Sequence, residues 1–279
     1  PGVVNIITGD GSTGNLIVNH SDVNKIAFTG STQVGKSIIE NISGTNKRST
    51  MELGGKAANI IFEDANLEKD ITAGVRRMMN NTGQSCNAPS RMLVQSSVYD
   101  QAIKIAKTAA EDIAVDQPTK EGDHLGPLSS RVQFDKVQGL IKKGIEEGAN
   151  VVAGGPGKPD GLDIGYFVKP TVFSGVSNDM TIAQEEIFGP VLTMISFDTE
   201  EQAIEIANDT PYGLAAYFST ASEERAARVA SQLRAGMISV NSASQNYTAP
   251  FGGYKQSGNG REWGEFGFDD FLEIKGITR

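Results

Sequence analysis

The stretch Lys25-Ile26-Ala27-Phe28-Thr29-Gly30-Ser31-Thr32-Gln33-Val34-Gly35-Lys36 passes from an apolar run through Gly-Ser into an amphipathic segment. That order of residues predicts a strand turning into a helix. Free N–H groups and the positive helix end at Gly30 and Ser31 suit a phosphate, although an ordinary turn capped by Ser31 would use the same residues. Outward from it, Val3 to Thr8 reads as a strand, Ser12 to His20 as a helix and Thr32 to Asn41 as a second helix. Further strand-like runs are Ala57 to Phe62, Arg91 to Gln95, Val191 to Phe197, Ala215 to Thr220 and Met237 to Asn241, with helical periodicity between them. Strands alternating with helices predict an α/β fold with a parallel sheet.

Finer signals punctuate this rhythm. Thr220 with Glu223, and Ser97 with Asp100, have the spacing of capping boxes. Gly154 to Gly165 reads as an exposed loop before a strand at Tyr166. Phe271 to Thr278 alternates like a strand with nothing after it to pair with, and such a strand often completes another sheet.

Composition narrows the function classes. A net charge of −9 argues against nucleic acid or an anionic membrane surface as a partner, because phosphate binding needs clustered Lys and Arg. No apolar run approaches the roughly 20 residues of a membrane helix, and no signal segment opens the sequence, which points to the cytoplasm. One cysteine forms no intramolecular disulfide, and two histidines without partner cysteines make a poor metal site, so no metal is expected. The first residue is Pro1, and the start reads as a cut through a longer polypeptide.

Two clusters carry chemistry. Met51-Glu52-Leu53-Gly54-Gly55-Lys56 ends a strand with two glycines, which permit close backbone approach or a positive φ. Asn80-Asn81-Thr82-Gly83-Gln84-Ser85-Cys86-Asn87-Ala88-Pro89-Ser90-Arg91, with its cysteine 34 residues after Glu52, is a polar loop holding the only thiol. A lone cysteine is usually a small buried apolar residue; a polar, glycine-containing setting favours a nucleophile.

These clusters, with Glu185-Glu186-Ile187-Phe188-Gly189-Pro190-Val191, Pro211-Tyr212-Gly213-Leu214 and Pro250-Phe251-Gly252-Gly253-Tyr254-Lys255-Gln256-Ser257-Gly258, resemble the aldehyde dehydrogenase superfamily over the whole chain. The resemblance implies the rear part of a Rossmann-like NAD-binding domain (1–54), an α/β catalytic domain (55–256) and a C-terminal segment with an oligomerisation strand (257–279). It makes Cys86 the nucleophile and Glu52 the general base. Gly30, Ser31 and Val34 would line the pyrophosphate and adenine side, and Leu53 would present its backbone to the nicotinamide amide. Glu186 would hold a ribose with Phe188 packed near it, Gln133 is a weaker match to a ribose contact, and Phe251 would wall the substrate tunnel. Phe188 and Phe251 could equally be core residues, and Glu186 a solvated carboxylate.

The implied reaction is NAD-dependent oxidation of an aldehyde to a free acid, since the coenzyme A acylating branch generally lacks the glutamate. NADP stays open, because the residues that separate the two cofactors lie ahead of Pro1, as does an asparagine expected as second oxyanion donor. On that reading these residues alone would be inactive, and the full-length enzyme a homodimer or homotetramer. The competing reading is a chain that keeps the fold without turnover. Intact Cys86, Glu52 and Glu186 weigh against it.

Overall fold

The computed structural model describes residues 2–279. In chain order its strands are β1 (Lys25–Thr29), β2 (Arg48–Glu52), β3 (Ala58–Ile61), β4 (Arg91–Gln95), β5 (Asn150–Ala153), β6 (Thr171–Ser174), β7 (Val191–Phe197), β8 (Ala215–Ser219), β9 (Met237–Val240) and β10 (Gly258–Asn259). The helices are α1 (Gly11–Asn19), α2 (Thr32–Ile42), α3 (Leu67–Met79), α4 (Tyr99–Glu111), α5 (Arg131–Glu146), α6 (Thr181–Gln184), α7 (Glu200–Asn208), α8 (Glu223–Gln232) and α9 (Gly264–Asp269).

They form a seven-stranded sheet in the order β5-β6-β7-β4-β3-β8-β9 and a three-stranded one in the order β1-β2-β10. The large sheet is parallel except for β5, which runs antiparallel at one edge beside β6. Burial on both faces explains why β3 and β7 are mostly apolar without alternation, since alternate residues enter different cores. Ile60, Leu93, Val191 and Ile195 pack with Val137 and Ile141 of α5, Ala203 of α7 and Val229 of α8. Ile61, Met92, Val94, Leu192 and Met194 pack on the other face with Ile71 and Val75 of α3 and Ala102 and Ala106 of α4. The small sheet has its own core of Val18, Ile26, Ile38, Ile42, Met51 and Leu53. Its antiparallel strand β10 returns from the far end of the chain to pair with Met51 and Glu52.

Four sequence readings are corrected. Val3 to Thr8 forms no strand: no neighbouring strand is there to take its N–H and C=O groups, and Val3 and Ile6 stand 91% and 89% exposed. The expected strand at Tyr166 begins instead at Thr171, since Pro170, which carries no N–H, separates it from the extended residues before. Helix α8 is capped not by Thr220 but by Ser222, whose hydroxyl accepts from the N–H of Arg225, while the Thr220 hydroxyl donates to Asp64. Ser97 does not cap α4; it lies inside the 3-10 turn Ser96–Val98 that runs directly into the helix, and its hydroxyl donates to Glu63 at 2.6 Å. The segment Phe271 to Thr278 pairs with no strand among the described residues, and Ile274 is fully exposed.

One side chain ties the large sheet to the loops above it. Arg91, at the first residue of β4, is fully buried and donates to the carbonyls of Lys56, Ile206 and Ala207 and to Oδ1 of Asn178. The two helix-end carbonyls of α7 would otherwise be orphaned, and a cation there complements the helix dipole. Arg91→Met keeps volume but leaves two buried and two part-buried acceptors without this donor. It is expected to lower the unfolding free energy by about 3 to 5 kcal/mol, read as a drop in the denaturant midpoint at unchanged slope.

Candidate active site

Glu52 closes β2, and Cys86 sits in the loop between α3 and β4. That loop turns through three consecutive residues of positive φ, Asn81 at 52°, Thr82 at 56° and Gly83 at 69°. Two of these are not glycine, so neighbours must hold the strained conformation. The Thr82 hydroxyl donates to Gly126 O at 3.1 Å, Gln84 Oε1 accepts from the N–H of Ser129 at 2.8 Å, and Gly83 packs directly on the carbonyl of Gly189. These anchors in Gly126 to Ser129 carried no sequence signal of their own.

The glycine pair after Glu52 serves close approach, not a positive φ. A Cβ on Gly54 would stand 2.6 Å from Glu186 Oε2, and one on Gly55 would collide with the backbone carbonyl of Cys86. The Gly55 N–H also donates to Glu186 Oε1 at 2.9 Å. Ser257, fully buried, locks the same turn from above: its hydroxyl donates to Gly54 O at 2.7 Å and accepts from the N–H of Gly213, and its carbonyl accepts from the N–H of Leu53. Leu53 thus has only its carbonyl left to offer a ligand.

Glu52, Leu53, Gly54, Cys86, Glu186, Phe188 and Phe251 line one cavity of about 1250 Å³, which reaches Gly30 and Ser31 at one end. Ser31 caps α2 by accepting from the N–H of Val34, leaving the first-turn amides open to a ligand. Val34 itself is 47% exposed outside the cavity. Gln133 lines the cavity, but its amide Nε2 donates to Ile187 O and Phe188 O at 2.9 Å each. It therefore holds the loop that presents Glu186, alongside Lys136, which donates to Glu186 O at 2.7 Å. Phe188 adopts φ 56°, turning its ring into the cavity wall. Phe251 and Tyr247 both pack against Trp263 with tilted rings, at 4.6 and 5.0 Å between centroids.

Burial sets the electrostatics. It pushes the Glu52 carboxyl up to about 8, with the Glu262 charge adding to the effect, and neither Glu52 oxygen has a partner among the described residues. Burial, then the charges of Glu186 and Glu52, push the Cys86 thiol up to about 11, opposed by the N–H groups of Cys86 and Asn87 beside the sulfur. Lys56, buried without a hydrogen-bond partner among the described residues, is held down to about 7 by burial and by Arg91. Nothing in the sequence marked Lys56 as buried, because a lysine after two glycines ordinarily reads as solvated.

One cavity is thus lined by the Cys86 thiol, the carboxyls of Glu52 and Glu186, and Gly30 and Ser31 at the α2 N-terminus. Residues 1–277 match the model of the aldehyde dehydrogenase family. The chain belongs to the aldehyde dehydrogenase family. It is 52% identical over 278 residues to a 3-succinoylsemialdehyde-pyridine dehydrogenase from a Pseudomonas species, covering 99% of this chain and 58% of that protein. Aldehyde dehydrogenase C from Pseudomonas syringae, solved as a cysteine-to-alanine mutant with NAD+ and octanal, superposes with a TM-score of 0.94 at 44% identity, over 96% of this chain and 55% of that one. The aldehyde dehydrogenase of Bartonella henselae gives 0.93 at 48% identity, over 96% and 56%. The chain thus spans little more than half the length of the aldehyde dehydrogenases it matches.

The two glycines should separate by what stands opposite them. In Gly54→Ala the new methyl meets the movable end of Glu186, so the fold should persist while that carboxylate is displaced. In Gly55→Ala the methyl meets the backbone carbonyl of Cys86, so the Cys86 loop must shift. Thermal melts of the full-length variants are expected to show a larger loss for Gly55→Ala, and calorimetry a weakened NAD+ affinity for Gly54→Ala at near-parental melting temperature.

Proposed function

We propose that the protein carrying this chain oxidises an aldehyde to a carboxylic acid with NAD+, with Cys86 as nucleophile and Glu52 as general base. The observation that supports it is the opening of both groups into one cavity that also reaches the α2 N-terminus and Glu186. Gly30 and Ser31 would take the pyrophosphate at the open amides of α2, and Glu186, already fixed by the Gly55 N–H, a ribose hydroxyl. The side-chain-free backbone at Gly54 leaves room for that carboxylate. NAD+, when bound, accepts the hydride and brings a positive ring that offsets the carboxylates raising the Cys86 thiol. NADP+ would supply the same chemistry.

The aldehyde carbon cannot release hydride until it carries a negatively charged oxygen, so the Cys86 thiolate adds first, forming the C–S bond and moving the carbonyl π pair onto oxygen. The Cys86 N–H donates to that oxyanion. Its collapse expels hydride and leaves a thioester on Cys86. Glu52 as carboxylate then takes a proton from water, hydroxide attacks the thioester carbon, and the acid departs as the C–S bond breaks. A buried, unpartnered carboxyl near 8 is well placed for this, since it binds the water's proton more strongly than an exposed glutamate would.

In the full-length enzyme Cys86→Ala should abolish turnover and any burst. Glu52→Gln should retain a pre-steady-state burst of NADH approaching one per site and lose on the order of 10² to 10⁴ in steady-state rate. The base acts only when ionised, so the steady-state rate of the parent should rise with pH through about 8, and this limb should vanish in Glu52→Gln. Wild-type turnover in Glu52→Gln would remove the carboxylate from the mechanism.

The exposed, unpaired Phe271 to Thr278 segment supports a second element of the reading, assembly into a homodimer or homotetramer in which this segment adds to a sheet of another subunit. Deleting residues 271–279 should give monomers or aggregates by light scattering. A deleted form that keeps the parent's mass and solubility would refute it.

A further inference from the structure

Four charged side chains line the cavity, and three have assigned partners or tasks: Glu52 faces Cys86, Glu186 binds the Gly55 N–H, and Lys136 donates to the Glu186 carbonyl. The fourth, Arg77, comes from the last turn of α3 and makes no ion pair among the described residues. Its guanidinium lies 4.9 Å over the ring of Tyr217, whose hydroxyl in turn donates to the carbonyl of Asn87, next to the nucleophile. Its hydrogen bonds to the chain go to neutral acceptors, the Tyr217 hydroxyl and, at 3.5 Å and the limit of what counts as a bond, Ala243 O. The neighbouring Arg76 is exposed and suffices to complement the C-terminal dipole of α3, whereas Arg77 is half-buried and gives up hydration without gaining a carboxylate.

A guanidinium presents five donors in a plane. One face here lies on Tyr217, one donor goes to the Tyr217 hydroxyl and one, weakly, to Ala243, so donors remain for a ligand in a cavity that Asn80, Ser244, Gln245 and Asn246 also line. A chain of net charge −9 repels anions at long range, so a local unpaired cation is what an anionic substrate would need. We propose that Arg77 is a specificity-determining residue and that the preferred aldehyde is an ω-oxo acid, whose remote carboxylate accepts hydrogen bonds from the Arg77 guanidinium while its aldehyde carbon lies at Cys86. The proposal rests on the reading of Cys86 as the nucleophile of aldehyde oxidation and adds the class of substrate.

The test compares 4-oxobutanoate with pentanal, a neutral aldehyde of similar length, on the full-length enzyme and its Arg77→Gln and Arg77→Lys variants. The parent should prefer 4-oxobutanoate in kcat/KM. That preference should fall on the order of 10- to 100-fold in Arg77→Gln, carried mainly by KM, as expected for loss of a charge-assisted hydrogen bond. Arg77→Lys should recover part of it, and added salt should erode it. A parent that oxidises pentanal but shows no preference for 4-oxobutanoate overturns the proposal while leaving aldehyde oxidation intact. Equal losses on both substrates in Arg77→Gln also overturn it, because they would show that Arg77 acts only by packing on Tyr217. Calorimetric titration of the Cys86→Ala variant with 4-oxobutanoate supplies a readout without turnover. Arg77-dependent binding there supports the proposal even if the parent proves inactive, and absence of binding in Cys86→Ala with Arg77 intact counts against it.

Discussion

Gly54 and Gly55 set how closely three separate segments of the chain meet. At the end of β2 the backbone passes beneath the Cys86 carbonyl on one side and the Glu186 carboxylate on the other, and any Cβ would push one of them away. The Gly55 N–H turns that proximity into a hydrogen bond, and Ser257 fixes the turn with three more, to Gly54, Gly213 and Leu53. The relative placement of Cys86, Glu52 and Glu186 follows from this one crossing, because Glu52 lies two residues before Gly54 while Cys86 and Glu186 meet the glycines themselves.

The crossing is costly elsewhere. Lys56 is drawn beneath the surface with no hydrogen-bond partner among the described residues, and Arg91 is buried whole, although it recovers its cost through four acceptors. Three successive left-handed residues before Cys86 are held only because Gly126 to Ser129 and Gly189 brace them. Strain and desolvation thus concentrate around the cleft, while the two apolar cores that flank the large sheet are ordinary in composition. The same desolvation moves Glu52 and Cys86 away from their usual ionisation, so electrostatics and packing here have one cause.

The α/β rhythm and most strands were legible in the sequence because both depend on local patterning: β-branched runs, 3.6-residue periodicity and Gly-Ser turns are properties of neighbours in the chain. Where the sequence misled, long-range contacts decided. Val3 to Thr8 has the composition of a strand and no strand beside it among the described residues, and the hydroxyls of Thr220 and Ser97 donate to Asp64 and Glu63 while neither caps the helix that follows. Gln133 was visible as a polar residue of the expected kind, but only packing shows that its donors go to the Ile187 and Phe188 carbonyls.

The sequence by itself determined that a single thiol lies in a polar glycine loop, that a glutamate precedes two glycines, and that the chain resembles one family throughout. These are facts of residue type and spacing, which survive without coordinates. Only the tertiary structure decided that the glycines serve approach and not turning, that Lys56 and Arg91 are interior, and that Arg77 faces a cavity without an acid to balance it. Burial and pairing depend on atoms far apart in the chain: Gly55 and Glu186 are 131 residues apart, and no local pattern encodes a contact of that range.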